Sequence, residues 1–424
     1  DIWYSEPVAG DLAAGRLDLN CCLSSSPYHQ GKADWRERML GTRAGDSQAA
    51  LAFCNQVGGQ DELVFDGRSV VFDARGELVA RASQFGEELL LADIDLELAA
   101  RRRLREPLAR RLGGEPPPAL PVIAPSPLDL AANGSVGRIA PTLGSHEELW
   151  GALVTGLRDY VDKNGFRTVV LGLSGGIDSA LVATLAADAL GSERVVGVAM
   201  PSPHSSPHSL ADAQALAESL AIRLEAIPIA PVVGAFEEAL ADLFAGLPRD
   251  ITEENLQARV RGTLLMALSN KFGWLVLATG NKSEISVGYS TLYGDMVGGF
   301  APIRDLYKTW VFRLARWRNE SEGRELIPRH TLERPPSAEL APDQLDTDSL
   351  PPYDLLDRIL EGYVEHDLGA RELAARGLPE EMAAEVIRMV DRAEYKRRQG
   401  PVGIKITPRA FGKDRRMPIT SRHA

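Results

Sequence analysis

One glycine-rich run in this chain has the residue types of an anion-binding loop. It is Gly172-Leu173-Ser174-Gly175-Gly176-Ile177-Asp178-Ser179, placed between a strand-like apolar segment at 168–173 and a helix-like one at 179–190. Glycines between a strand and a helix let backbone N–H groups approach a phosphate, and the positive end of the helix dipole favours its charge. Asp178 offers a carboxylate for an accompanying divalent cation. The run lacks the Gly-Lys-Ser/Thr of a Walker A loop, and a glycine turn without a ligand is the alternative interpretation.

A second polar run follows the strand predicted at 275–280. The run is Thr279-Gly280-Asn281-Lys282-Ser283-Glu284. Ligand sites in open α/β sheets lie at the carboxyl ends of the strands, so we expect this run beside the glycine-rich loop. Mg²⁺ prefers hard oxygen ligands, and Asp178 with Glu284 is the pair that the sequence predicts for it.

Four further polar residues could contact a ligand in the same region. Asn255 and Arg259 lie one turn apart on the longest predicted helix, 254–272, so they share a face. Lys308 stands where another helix is predicted to begin, and Lys396 opens a basic run of three residues. A surface ion-pair helix and a solvated basic run are the alternative interpretations.

Six separated motifs together resemble the NAD synthetase family. They are SGGIDS (174–179), ENLQARVR (254–261), TGNKSE (279–284), STLYGD (290–295), the segment around Lys308, and EYKRRQ (394–399). The resemblance covers residues from about 144 to about 410. It implies ATP-dependent amidation of deamido-NAD (nicotinic acid adenine dinucleotide) through an adenylate, with release of AMP and pyrophosphate.

The resemblance also implies a role for each motif residue. Residues 172–179, Thr279 and Lys308 would bind ATP, and Asp178 and Glu284 would bind Mg²⁺. The deamido-dinucleotide would contact Asn255, Arg259, Glu284 and Lys396. Leu292 stands where ammonia-dependent members carry Lys, and the loop 296–300 fits the glutamine-dependent branch better. Another ligase with the SGGxDS loop, or a dinucleotide-binding subunit without catalysis, remains the alternative.

The first hundred residues resemble the nitrilase-type glutaminase half of the glutamine-dependent members. The segments 25–32 (SSPYHQGK) and 55–67 (NQVGGQDELVFDG) carry this resemblance, which implies that Ser26 and Lys32 bind glutamine. Such domains use a Glu, a Lys and a Cys, the last in a Cys-Glu-Asp-hydrophobic-Trp run whose end matches Asp1-Ile2-Trp3. We therefore expect the nucleophile before residue 1, no glutaminase catalytic residue within this sequence, and NAD synthesis from ammonia but not from glutamine.

The order of predicted elements indicates two α/β domains. Residues 1–98 are predicted to be the β-rich later part of a nitrilase-like α/β sandwich, and 99–143 a linker rich in Pro and Gly. From 144 to 424 strands and helices alternate, which predicts a doubly wound parallel sheet of the adenine nucleotide alpha-hydrolase type. The strands are predicted at 16–23, 49–57, 69–73, 89–94, 168–173, 195–200, 224–229 and 275–280, and the helices at 179–190, 209–220 and 254–272.

Two local signals add detail to this outline. Ser145 and Glu148 have the spacing of a capping box before a helix that ends near 164–165. Residues 333–353, rich in Pro and Asp, predict a long loop of the kind that often forms a lid.

Composition limits the classes of function. A net charge of −12 over 424 residues disfavours a nucleic-acid surface. The apolar runs are shorter than the roughly 20 residues that a membrane span needs. Three cysteines, Cys21, Cys22 and Cys54, have the spacing of neither a disulfide framework nor a zinc site. We expect a cytoplasmic homo-oligomer, a dimer or larger, that acts on ATP, deamido-NAD and glutamine or ammonia.

Overall fold

The chain divides into two compact units. The computed structural model describes residues 2–4, 17–105, 137–203, 205–341 and 344–420. Unit 1 comprises Asp1–Gly58 and Val64–Ala152, and unit 2 comprises Gly59–Leu63 and Leu153–Ala424. Over these described ranges, no helix combines the length and the apolar character that crossing a bilayer requires.

The first part of the chain forms a four-stranded mixed sheet with one long helix. Its elements are β1 (Leu19–Ser24), α1 (Lys32–Ser47), β2 (Ala50–Asn55), β3 (Val57–Gln60), β4 (Leu63–Asp66), β5 (Val70–Phe72), β6 (Leu78–Arg81) and α2 (Glu97–Arg105). The sheet order is β1-β2-β5-β6, with β1 parallel to β2 and the other pairs antiparallel. Leu40 of α1 packs with Leu51, Phe53, Val70 and Phe72 of the sheet in one buried cluster.

Helix α1 was not predicted from the sequence. Its buried residues are Ala33, Arg36, Leu40 and Ala44, so one core-facing position is an arginine. The Arg36 guanidinium donates two hydrogen bonds to Asp66, at 2.9 and 2.8 Å. Because a paired charge replaces an apolar side chain in the buried stripe, the helical periodicity is weak.

The strand predicted at 89–94 is wrong. Its apolar run suggested a strand, but no other described strand pairs with this segment. Leu89 and Leu91 are exposed. An apolar run forms a strand only where a neighbouring strand accepts the backbone hydrogen bonds.

Part of the predicted linker is ordered. Helix α2 extends into it as far as Arg105, and Arg81 exchanges backbone hydrogen bonds with Arg138 and Ala140; residues 106–136 lie outside the described residues. The next helix, α3 (Ser145–Lys163), begins at Ser145 itself. A capping box would place Ser145 just before the helix, so the predicted capping box is wrong. The Glu148 side chain instead accepts a hydrogen bond from Gln84.

Unit 2 contains the predicted parallel sheet. Its strands are β7 (Val169–Gly172), β8 (Val195–Ala199), β9 (Arg223–Ala226) and β10 (Leu275–Val276), and all neighbours pair in parallel in the order β10-β7-β8-β9. The chain therefore passes from β7 outward to β9 and then crosses to the other side of β7. This topological switch point lies between β7 and β10, where the two polar runs follow their strands.

Helices surround this sheet. They are α4 (Ile177–Leu190), α5 (Pro207–Leu220), α6 (Ala230–Leu240), α7 (Ile251–Phe272), α8 (Lys282–Val287) and α9 (Lys308–Glu322). Helix α4 packs against β7 and β8, and α7 packs against β7 and β10. Val170, Val196 and Val198 of the strands meet Val260 and Leu265 of α7 in a buried cluster.

The strand predicted at 275–280 is shorter than expected. Only Leu275–Val276 joins the ladder, and Leu277 then makes a single bridge to Phe300. Its early end releases Thr279 and Gly280 into a loop before α8.

The last part of the chain is mainly helical. It contains β11 (Phe300–Ala301), α10 (Arg329–Glu333), α11 (Tyr353–Leu360), α12 (Ala370–Ala375), α13 (Glu380–Arg392), α14 (Glu394–Arg397) and β12 (Val402–Gly403), and β11 pairs with β12. Short turns of 3₁₀-helix and π-helix occur at Asp346–Asp348 and Glu361–Glu365. Outside residues 342–343, which are not described, the predicted loop at 333–353 is confirmed apart from its first residue, its last residue and the 3₁₀ turn at Asp346–Asp348.

Candidate active site

The glycine-rich loop is held by its own serines. The Ser174 and Ser179 hydroxyls lie 3.2 Å apart, and Ser179 donates to the Gly176 carbonyl oxygen at 3.0 Å. Helix α4 begins directly after Gly176, and no side chain caps its N-terminus. The first-turn N–H groups of a helix lack intrahelical acceptors, so this end can receive an anion.

Gly175 is required by both conformation and space. Its φ is 77°, in the left-handed region, and a Cβ atom would lie 2.6 Å from the Ser209 carbonyl oxygen. Thr331 of α10 donates to the Gly175 carbonyl oxygen at 3.3 Å. A side chain at this position would push the loop away from α5 and α10.

Lys308 joins two carboxylates beside this loop. Its ammonium lies 2.5 Å from Asp178 Oδ2 and 2.8 Å from Glu284 Oε1. The other Asp178 oxygen accepts a hydrogen bond from the Asn281 side chain at 2.9 Å. Asp178 comes from the first turn of α4, Glu284 from α8 and Lys308 from the first residue of α9, so three elements meet at one cation.

The protonation of this cluster follows from its charge balance. Burial disfavours the charged ammonium of Lys308, but the Asp178 and Glu284 carboxylates outweigh burial and raise its pKa above the ordinary value. Burial raises the pKa of Glu284 to about 7, against the opposing effect of Lys308. One ammonium cannot balance two buried carboxylates, so Glu284 is the group that gains a proton near neutral pH.

Two carboxylates facing one cation fit a magnesium ion bound together with phosphates. The Lys308 ammonium lies beside both carboxylates, in the position to which they would attract a magnesium ion. Among the described residues, no group of three or more His, Cys, Asp or Glu side chains forms a metal cage. Mg²⁺ usually binds through one or two carboxylates and substrate phosphates, so the pair Asp178 and Glu284 suits it.

A pocket of about 300 Å³ adjoins this cluster within unit 2. Residues 172–179, Thr279, Glu284 and Lys308, all predicted to bind ATP or Mg²⁺, line it. The pocket therefore brings together residues from both sides of the switch point.

The loop that follows α10 forms another wall of the pocket. Arg334 forms an ion pair with Glu339 and donates to the Ser209 hydroxyl at 2.8 Å. Ser209 in turn donates to Glu339 at 2.8 Å. On the opposite side, the Gln257 side chain donates to the Leu340 carbonyl oxygen at 3.1 Å. These contacts hold the predicted lid loop against α5 and α7.

The other residues predicted to contact the dinucleotide bind the chain itself. Asn255 accepts from the Thr291 hydroxyl at 2.7 Å, and Arg259 donates to the Leu292 carbonyl oxygen at 3.2 Å. Lys396 donates to the carbonyl oxygens of Gly288 and Ser290, at 2.6 and 2.8 Å. Burial lowers the pKa of Lys396, against the effect of Asp295.

These three side chains do not line the pocket, but the segment that they contact does. Tyr289, Ser290, Gly294 and Asp295 face the pocket. Asn255, Arg259 and Lys396 thus act on the pocket wall through backbone and hydroxyl contacts in this structure.

In unit 1, the two residues predicted to bind glutamine, Ser26 and Lys32, lie near the Arg36–Asp66 pair. Ser26 is buried, donates its backbone N–H to Asn55 and accepts a long contact of 3.4 Å from Arg36. The Lys32 ammonium donates to the Pro27 carbonyl oxygen at 2.7 Å. Cys21 and Cys54 are exposed, and Cys22 is partly buried.

Two polar residues of the site, Asn281 and Arg261, had no role predicted from the sequence. Asn281 lies within TGNKSE, and its contact with Asp178 follows from its place before α8, where its side chain also accepts from Glu284 N–H. Arg261 lies within ENLQARVR, lines the pocket and donates to the Met200 carbonyl oxygen. Motif membership was the available signal for both.

Comparisons with known proteins identify two families that match this chain. The NAD synthase family matches residues 149–400, and the carbon-nitrogen hydrolase family matches residues 1–104. The glutamine-dependent NAD(+) synthetase of Thermotoga maritima is 49% identical, over 100% of this chain and 73% of that protein.

Solved structures extend these comparisons. The glutamine-dependent NAD+ synthetase from Acinetobacter baumannii, in complex with adenosine diphosphate, is 43% identical, has a TM-score of 0.68, and is matched over 99% of this chain and 70% of its own. NMN synthetase from Francisella tularensis is 28% identical with a TM-score of 0.51, over 60% of this chain and 97% of its own. The family resemblance and fold class predicted from the motifs are confirmed. By the extent and the identity of these matches, the chain belongs to the glutamine-dependent NAD(+) synthetase family.

Proposed function

We propose that the pocket of unit 2 binds ATP and deamido-NAD and converts the nicotinate carboxylate to the amide. A carboxylate oxygen attacks the α-phosphorus of ATP, and pyrophosphate leaves. Ammonia then attacks the acyl carbon of the adenylate, loses a proton, and AMP leaves with the former carboxylate oxygen. The observation that carries this proposal is the meeting of Asp178, Glu284 and Lys308 beside an uncapped helix N-terminus in one pocket.

Residues 172–179 would bind the phosphates through backbone N–H groups and the serine hydroxyls. Their fixed geometry supports this role, because positioning and charge stabilisation supply most of the rate enhancement in phosphoryl-type transfer. Thr279 lines the same pocket and would contact ATP from the α8 side. The adenosine diphosphate bound to the Acinetobacter baumannii relative is consistent with a nucleotide here.

Asp178 and Glu284 would hold Mg²⁺. The ion would neutralise charge on the leaving pyrophosphate. With both carboxylates holding the ion, the Lys308 ammonium would be free to contact a phosphate oxygen. The three charged side chains already lie together, so binding would change their partners without having to bring them together.

The segment 288–295 would contact the deamido-dinucleotide. Asn255, Arg259 and Lys396 each contact this segment, and Glu284 lies in α8, the helix that precedes it. We propose that the segment sets where the nicotinate carboxylate stands relative to the α-phosphorus. Ser26 and Lys32 of unit 1 would contact glutamine when glutamine supplies the ammonia.

The test is formation of AMP and pyrophosphate from ATP with each of several carboxylate substrates. Deamido-NAD should support one AMP and one pyrophosphate per NAD formed, with ammonium chloride or glutamine offered in parallel as the nitrogen donor. Nicotinic acid mononucleotide is the matched competitor, because the Francisella tularensis neighbour is an NMN synthetase. Equal or better turnover of the mononucleotide would contradict the proposed substrate, and no AMP with either would contradict the proposed reaction.

A further inference from the structure

Tyr353 contacts both members of the Glu284–Lys308 pair, although the proposed chemistry does not use it. It is the first residue of α11, and its hydroxyl lies 3.4 Å from Glu284 Oε1. The Lys308 ammonium lies 5.2 Å from the centre of its ring, within the range of a cation–π contact.

The same hydroxyl reaches a second carboxylate from the loop beside the pocket. It donates to Asp346 Oδ2 at 2.8 Å. Asp346 is only 4% exposed. One phenol hydroxyl therefore contacts two carboxylates, that of Asp346 and that of Glu284.

A phenol carries one proton, so it can donate fully to only one of two carboxylates. The hydroxyl keeps this proton at neutral pH, since the pKa of a phenol is about 10. The shorter contact is with Asp346, so the hydroxyl donates mainly to Asp346, and its contact with Glu284 is the weaker one.

We propose that Tyr353 is a positioning residue for the Glu284–Lys308 pair. Its ring fixes the ammonium, and its hydroxyl links Glu284 to Asp346, the first residue of the turn that follows the loop over the pocket. The hydrogen bond to Asp346 anchors the phenol, so that the ring stays over Lys308 and the hydroxyl stays beside Glu284. This inference rests on the proposed function, because it assigns Tyr353 to the pair that would meet Mg·ATP.

Replacing Tyr353 by Phe tests the hydroxyl while keeping the ring over Lys308. The matched control is Tyr363→Phe, because the Tyr363 hydroxyl also donates to a carboxylate, that of Asp391 at 2.6 Å, and Tyr363 does not line the pocket. The full chain is titrated with Mg·ATP by calorimetry in the absence of deamido-NAD, and with deamido-NAD alone. We expect Tyr353→Phe to raise the Kd of Mg·ATP by about tenfold. The Kd of deamido-NAD should stay within about twofold, and Tyr363→Phe should change both by less than about twofold.

Two results would overturn the inference. An unchanged Kd of Mg·ATP in Tyr353→Phe would mean that the hydroxyl does not position the pair. An equal rise in both variants would mean that the loss of a phenol hydroxyl weakens binding without a specific role of Tyr353. Should Tyr353→Phe fail to fold, Asp346→Asn gives a second test, since an amide is a weaker acceptor and anchors the Tyr353 hydroxyl less firmly; it should weaken Mg·ATP binding, and wild-type binding would contradict the inference. If the unaltered chain itself does not bind Mg·ATP, the proposed function fails instead.

Discussion

The ammonium of Lys308 lies 2.5 Å from Oδ2 of Asp178, although 130 positions separate the two residues in the chain. The contact joins the first turn of α4, which follows the glycine-rich loop, to the start of α9. A buried cation between carboxylates from separate elements is costly to leave unpaired, so each partner fixes the position of the others. The cluster is therefore sensitive to the loss of any single charge.

Asp178→Asn should reduce turnover without unfolding the protein. The substitution is nearly isosteric, and the amide oxygen can still accept from the Asn281 side chain. It removes one of two charges that would bind Mg²⁺, so we expect kcat to fall by on the order of 10²- to 10³-fold. Pyrophosphate release with deamido-NAD as substrate measures this.

The control for this variant is Asp188→Asn, the same substitution on the same helix. Asp188 pairs with Arg318 at 2.7 Å and does not line the pocket. Asp188→Asn should retain turnover within about twofold, since surface pairs contribute little. Near-normal AMP formation by Asp178→Asn would rule out its assignment.

Gly175→Ala should disrupt the phosphate loop specifically. A residue with a Cβ is strained at this positive φ, and the new Cβ would also clash with the Ser209 carbonyl oxygen. Gly165→Ala is the matched control, because Gly165 has a φ of 76° but open space around its Cβ position. We expect both to lose on the order of 1 kcal/mol of stability from backbone conformation.

Only Gly175→Ala should also raise the KM for ATP, by about tenfold or more. Steady-state kinetics and urea denaturation of the two variants separate these effects. If the KM for ATP rises equally in both, the loop's contact with α5 has no part in nucleotide binding.

Lys396→Ala should weaken the dinucleotide more than ATP. Its ammonium holds two carbonyl oxygens of the segment that enters STLYGD, so its loss frees that wall of the pocket. We expect about a tenfold rise in the KM for deamido-NAD and less than a twofold change for ATP. Arg398→Ala, in the same basic run, serves as the control; its guanidinium pairs with Glu394 at 2.9 Å. Equal weakening of both substrates would return the run to a general surface role.

Asp295 should make stability depend on pH in an unusual direction. Burial raises its pKa to about 6, against hydrogen bonding from the Thr291 N–H and the charge of Lys396. Between about pH 4 and pH 6 the folded state keeps a proton that the unfolded state releases, so this group lowers stability as the pH rises.

Asp295→Asn removes this dependence while keeping an acceptor for the Thr291 N–H. Relative to the unaltered chain, its free energy of unfolding should be higher at pH 7 than at pH 4.5, as measured by urea denaturation. Asp242→Asn, at an exposed position, changes the same formal charge as a control. A difference that does not vary with pH would contradict the raised pKa of the Asp295 carboxyl group.

The sequence predicted the turn from strand to helix at 172–179 and the parallel sheet because both depend on local patterns. Strand, glycines and helix occur in one run around Gly175, and alternation of strands and helices specifies the sheet. It did not predict helix α1, since Arg36 fills a core position and pairs with Asp66. Nor did it predict that Lys308 stands between Asp178 and Glu284, because spacing along the chain does not specify which charges meet. Tyr353 belongs to no quoted motif, and only the fold brings it to Glu284.

The central claim, that the carboxylate of deamido-NAD is activated by transfer of AMP in this pocket, has one direct test. Deamido-NAD labelled with ¹⁸O in its nicotinate carboxylate is converted to NAD by the full chain with ATP and ammonium chloride. The ¹⁸O content of AMP and of pyrophosphate is then measured by mass spectrometry. If the carboxylate oxygen attacks the α-phosphorus, each AMP carries one ¹⁸O atom and the pyrophosphate carries none. Label in the pyrophosphate, or none in AMP while NAD is formed, would contradict the account.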